Sequence, residues 1–162
     1  MTKANALLCA TMSMLLLACN KSDGVTTSKA TSQWTFDGKT FKVTDASYDY
    51  SSNTLTAADD GGSVGGGNFI KVTFGSATKP SKSATLTVVD FAATSNPTNC
   101  DIQVGNVYDA TRPLAYLSTG KVGDKVDLTV SSTGKLSVSF SNITVFDRGS
   151  TTKTVSGTLT ED

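Results

Sequence analysis

From Trp34 to the C-terminus apolar side chains recur at every second position, and a chain that alternates in this way can bury one face only as β-strands. Trp34 and Phe36 flank Thr35, Asp37-Gly38 supplies a two-residue turn, and Phe41 and Val43 resume the alternation, which is the short-range signature of a hairpin. Tyr48 and Tyr50 share one side of the next strand, Ser51-Ser52-Asn53 turns the chain, and Leu55 begins the return. Further strands are expected at Ile70-Val72-Phe74, Leu86-Val88, Ile102-Val104, Leu114-Tyr116, Val126-Leu128-Val130, Leu136-Val138-Phe140 and Val155-Leu159. Pro80, Pro97 and Pro113 fall at or beyond strand ends, where a missing amide donor breaks no ladder.

About ten short strands without a helical segment predict an all-β fold, an antiparallel β-sandwich, with an up-and-down, lipocalin-like barrel as the alternative. Two departures from alternation carry their own expectations. After Phe140 the apolar residues continue at Ile143 and Val145 on the opposite parity, so a bulge near Ser141-Asn142 restores the inward face of one long strand. Gly157 stands between Val155 and Leu159 where an inward side chain belongs, which predicts the close approach of another backbone or a large ring, with Trp34 the candidate.

The first residues obey a different logic. Lys3 precedes a short apolar stretch, Ala4 to Leu17, that is below the roughly 18 residues of a membrane span and has the layout of a secretory signal. It ends in Leu16-Leu17-Ala18-Cys19, which resembles the lipobox of bacterial lipoproteins, in which the cysteine is lipidated and becomes the first residue of the mature chain. The alternative is an ordinary secretory signal cut near Ala18. Several acyl chains on one residue, at about 0.8 kcal/mol per buried methylene, hold a protein to a bilayer without any spanning segment. Residues 19–32 are polar, rich in Ser and Thr, and lack a hydrophobic period, as a flexible tether does. The expected organisation is a signal peptide at 1–18, lipidated Cys19 and tether at 19–32, and a single β domain at 33–162. Asn20 in place of Asp after the cysteine removes the inner-membrane retention signal, so the expected location is the outer membrane, on its periplasmic face or the cell surface.

Composition excludes several classes of function. Of 14 basic and 14 acidic side chains, Lys3 leaves with the signal, so the mature chain is close to neutral and has no basic footprint for nucleic acid. There is no histidine, which removes His-based triads and the commonest metal ligand. No cofactor is expected. Cys9 is in the leader and Cys19 is the lipidation site, so Cys100 has no intramolecular disulfide partner and is read as a buried, inert thiol. Asp45 and Asp49 on one strand, and Asp90, Asp101, Asp109, Asp124 and Asp127 elsewhere, are scattered with nothing to fix the carboxylate pair that a glycosidase needs, so no enzymatic activity is expected. Asp59 and Asp60 open the Gly-rich loop that runs to Gly67 and form a candidate loop site with hard oxygen ligands, although a plain connector is the simpler reading and no metal is assigned. Tyr48, Tyr50, Tyr108 and Tyr116 either stack a glycan or, at period two, fill the core, and the core is favoured.

The run Trp34 to Phe41, the segment Ser52-Asn53-Thr54-Leu55 and the terminal Thr154-Val155-Ser156-Gly157-Thr158-Leu159 together resemble a group of small uncharacterised bacterial lipoproteins. The resemblance implies an envelope-located β domain and transfers no catalytic residue. The expected protein is therefore a lipid-anchored, non-enzymatic binding or structural module whose partners are the membrane, through its anchor, and an envelope protein or glycan. A carrier of a small apolar ligand in a barrel cavity is the alternative.

Overall fold

The computed structural model describes residues 32–59, 67–90, 95–106, 115–147 and 151–162. The signal, Cys19, the tether up to residue 31, Asp60, Tyr108 and Asp109 lie outside these residues. The described chain is all-β, with β1 Gln33–Phe36, β2 Lys39–Asp49, β3 Thr54–Asp59, β4 Asn68–Phe74 and β5 Ala84–Val88, followed by β6 Asn99–Asn106, β7 Ala115–Ser118, β8 Lys125–Val130, β9 Leu136–Phe146 and β10 Thr152–Thr160. All ten belong to one sheet of order β10-β1-β2-β3-β4-β6-β5-β8-β9-β7 that β10–β9 and β6–β7 pairings close into a ring. Every described strand pairs on both flanks over part of its length, although Lys39–Lys42 of β2 and Thr152–Thr154 of β10 have a described partner on one flank only. The pairing is antiparallel as expected, except between β5 and β6, which run parallel through Thr87–Asn99 and Val88–Cys100.

Local signals in the sequence account for the wall. Asp37 (φ 51°) and Gly38 (φ 75°) both take positive φ, the condition for the tight turn that matches the twist of β1 and β2. Val155 pairs with Ile143 and Gly157 with Phe140, so Ser141 and Asn142 together oppose Ser156: this is the bulge expected from the parity change. Asn142 adopts φ 53°, and its N–H is accepted by the Ser156 hydroxyl at 2.8 Å. Gly157 pairs directly with Trp34, and a Cβ placed on it would lie 2.8 Å from the Gln33 carbonyl oxygen and 2.9 Å from Trp34 Cβ. The absent side chain is thus the space into which β1 fits. One expectation needs correction. Phe41-Val43 and Tyr48 do not lie on separate strands; β2 holds all of them, and a bulge at Thr44 shifts its inward face from Phe41 and Val43 to Ala46 and Tyr48. Tyr50 then falls beyond the strand, 74% exposed and edge-on to Tyr48, so the two tyrosines do not share a buried side.

The core fills the ring. Trp34, Leu55, Ile70, Ile102, Leu136 and Leu159 are among the side chains with no exposure, and Cys100 is buried with them. Burial, and then the neighbouring Asp101 charge, push the Cys100 thiol up to about 12, consistent with an inert thiol.

One seam interrupts the wall. The flank of β6 is shared between β5 near Cys100 and β7 from Gln103 onward, while that of β9 is shared between β8 and β7. At the junction the buried Ser118 hydroxyl accepts from Ile102 N–H at 3.2 Å and donates to the Val89 carbonyl at 2.6 Å, joining groups that no continuous ladder reaches. Asp124 accepts the Thr144 N–H at 2.9 Å on the other flank. Asp101 pairs with Thr73 across β4–β6 and is only 1% exposed.

Candidate functional site

Strand directions place the Phe36 end of β1, the starts of β2, β4, β7 and β10 and the end of β6 at one end of the ring, which we call the mouth. A cavity of about 200 Å³ opens there, lined by Trp34, Phe36, Phe41, Asn68, Val104, Gly105, Tyr116 and Lys153. Trp34 stacks on Phe41 with centroids 5.2 Å apart and planes 16° from parallel. Phe36 meets Tyr116 edge-on at 4.8 Å, and the Lys153 ammonium stands 5.5 Å from the Phe36 centroid and 5.6 Å from that of Tyr116. Lys153 also donates to the Asp37 carboxylate in the neighbouring hairpin, and this hydrogen bond holds the amine above its ordinary pKa. The rim is therefore a compensated ion pair over aromatic faces.

The polar groups of this end are mostly committed. Asn68 donates from its backbone to Asp59 at 2.7 Å and from its side-chain amide at 3.1 Å, so the Asp59 carboxylate ties the end of β3 to the start of β4. Of the candidate pair Asp59 and Asp60, the first thus has a bracing role and the second lies outside the described residues. The exception is Trp34, whose buried Nε1–H has no acceptor among the described residues. A buried donor in that state is unfavourable by roughly 1–3 kcal/mol.

The other end of the ring is tied shut. Asp162 accepts Ala46 N–H at 2.9 Å and returns its own N–H to the Ala46 carbonyl at 2.9 Å. Glu161 pairs with Lys79 at 2.7 Å and accepts Leu136 N–H at 2.9 Å. Lys79 lies 5.0 Å from the Tyr48 ring centroid, and the Tyr48 hydroxyl donates to Asn53, whose amide in turn donates to the carbonyls of Phe74 and Ser76. Burial, followed by the charges of Tyr50, Glu161 and Asp49, raises the Tyr48 hydroxyl to about 12.

The remaining carboxylates do not gather. Asp49 accepts from the hydroxyls of Ser52 and Ser51 and from Ser51 N–H, which lower it to about 2; Asp127 accepts from Thr85 at 2.7 Å. Asp45 and Asp49 are exposed on β2, and no carboxylate lines the mouth cavity. Two shallower grooves, of about 370 and 390 Å³, run along the outside of β10 beside Gly157 and carry a single carboxylate, Asp127. Among the described residues no three His, Cys, Asp or Glu side chains form a potential metal cluster.

Sequence reasoning favoured the core for Tyr116, read Trp34, Phe36 and Phe41 as alternating residues of a hairpin, and offered a barrel cavity only as the alternative, without naming the four as its lining. The signal was the density of aromatics on the first hairpin. The buried Asp101 and Ser118 gave no signal, since both depend on which strands meet at the seam. Comparison of the chain with protein-family models, curated proteins and solved structures gave no match.

Proposed function

We propose that this protein is a lipid-anchored, non-enzymatic binding module of the bacterial cell envelope, held in the outer membrane by acyl chains on Cys19 and meeting an envelope protein or glycan at the mouth of its ring. The anchor rests on the lipobox-like Leu16-Leu17-Ala18-Cys19. The observation that carries the binding end is the aromatic-lined cavity beside the Asp37-Gly38 hairpin, since a concave, mostly apolar site with a few polar groups at its rim is the usual form of a binding pocket. Geometry adds a direction. β1 begins at Gln33, at the end away from the mouth, and runs toward it.

The carrier reading has the same cavity in its favour, but the filled interior restricts its cargo. About 200 Å³ is below the roughly 300 Å³ at which small-molecule pockets usually begin.

Fractionation of cells expressing the wild type and Cys19→Ser tests the anchor. The wild type should remain with washed outer membranes, whereas the Ser variant should be released as a folded protein. Retention of the Ser variant on the membranes would contradict the proposal.

A further inference from the structure

We propose that the mouth-side flank of β2, at Lys39–Lys42, is a docking edge for an extended acidic segment of a partner protein, which adds to the ring as a further strand and places one apolar side chain in the mouth cavity. The assignment rests on the mouth being the binding end and chooses protein over glycan as its partner. The wall has a notch here. β3 stops at Asp59 opposite Val43, and β4 starts at Asn68, which the Asp59 carboxylate ties to the same level. The cavity lining passes from Phe41 on β2 to Asn68, Val104 and Gly105, and β3 lends no residue to it.

The backbone of this edge is oriented for pairing. Val43 N–H donates to the Ser32 carbonyl at 3.0 Å, so Val43, Phe41 and Lys39 turn their peptide groups toward β1. Alternation turns those of Thr40 and Lys42 to the other flank, where no described residue pairs with them. Strand addition uses such a row of donors and acceptors for affinity and a pocket for a side chain for specificity. The cavity supplies the pocket. A space of about 150 Å³ accepts benzene, so about 200 Å³ beside Phe41 takes one side chain the size of Leu or Phe.

Charge selects the partner. Lys42 and Lys39, whose ammonium stands 5.0 Å from the Phe41 centroid, are exposed and pair with no carboxylate among the described residues. Lysines on an edge disfavour a second copy of the same edge, because like charges would meet across the new ladder, and favour a strand that bears carboxylates. The other half-paired segments are less suited. Asp37 of the hairpin turn binds Lys153 beside the open flank of β10, and Ala84–Leu86 of β5 lies at the tied end, away from the cavity.

Amide exchange and peptide titration of the purified full-length mature protein in detergent test the edge. In the free protein the Thr40 and Lys42 amides should exchange freely while that of Val43 is protected. The probe acetyl-Glu-Val-Glu-Phe-Glu-Val-amide should bind saturably with Kd below about 1 mM and protect Thr40 and Lys42. Methylating every second backbone nitrogen of the probe should weaken it by about tenfold in one phase and little in the other, since alternate amides face the edge. Thr40→Pro removes an edge donor that the β1 ladder does not use and should abolish binding. Should proline disturb the hairpin, Lys42→Glu at its exposed position should instead weaken the probe by about fivefold.

Thr40 and Lys42 amides already protected in the free protein, a linear titration, or unimpaired binding of both methylated probes would overturn the edge. A probe with lysine in place of glutamate that binds the wild type equally well would overturn the acidic partner. These readouts need neither membrane nor native partner, so their failure is distinct from failure of the anchored-module reading, which fractionation tests.

Discussion

Burial of Asp101 should make this protein less stable as pH rises from mildly acidic to neutral, the reverse of what a paired carboxylate does. Asp101 is 1% exposed, Thr73 is its hydrogen-bonding neighbour, and Oδ1 has no partner among the described residues. Burial raises the carboxyl to about 6 from 3.8, and the Thr73 hydrogen bond offsets only part of that shift. Below pH 4 the acid is neutral in both folded and unfolded chains, and the shift has no effect. Between pH 4 and 6 the unfolded chain ionises while the folded chain still holds its proton, so each unit favours unfolding by 1.36 kcal/mol. A shift of about two units therefore removes about 3 kcal/mol between pH 4 and 7, beyond which the loss is constant. Asp49, lowered to about 2, acts in the opposite sense but only below its ordinary value of 3.8, so the two windows meet without overlapping. Urea unfolding of the wild type and Asp101→Asn at unit steps from pH 4 to 8 isolates the effect, because any constant gain or loss from the amide leaves the slope untouched. The Asn variant should lose the decline that the wild type shows from pH 4 to 6. Parallel curves for the two proteins would refute the argument that an uncompensated buried carboxylate sits at the seam.

Other substitutions probe separate parts of the wall. Ser118→Ala leaves the Ile102 N–H and Val89 carbonyl unjoined at the seam and should cost about 1–3 kcal/mol in urea unfolding; an unchanged midpoint would show that the strands close the gap without the hydroxyl. Gly157→Ala drives a methyl against the Gln33 carbonyl and Trp34 backbone and should cost about 1–3 kcal/mol, with a visible shift in Trp34 emission. Gly38→Val meets no steric neighbour, so its destabilisation should come from the positive φ alone, about 1–2 kcal/mol, and equal melting temperatures would remove the strain argument.

What the sequence made legible was local. The Asp37-Gly38 turn, the parity change after Phe140 and the missing side chain at Gly157 each leave a mark within a few residues, because strand alternation makes any insertion or omission visible. The bulge at Thr44 escaped notice since the residues it turns inward, Ala46 and Tyr48, do not form an obvious apolar series. Closure of the ring and the seam between β5, β7 and β8 depend on partners far apart in the chain, and alternation fixes faces without fixing neighbours. Asp101 illustrates the limit: it alternates with Cys100 and Ile102 and so belongs to the outer face, yet it is buried there. Lys79 and Glu161, 82 residues apart, are invisible as a pair for the same reason. At the candidate site Trp34, Phe36 and Phe41 were legible only as alternating hairpin residues, because the space between them is a property of packing.

The central claim, that the mouth is the binding end of an anchored module, is tested most directly by placing a photo-crosslinking residue at exposed Lys39 beside the mouth hairpin or at exposed Thr133 at the opposite end, and irradiating intact cells. The account predicts a discrete, membrane-dependent adduct from position 39 that disappears when Cys19→Ser releases the chain, and none from position 133. Adducts from position 133 alone, or from both positions equally, would contradict it.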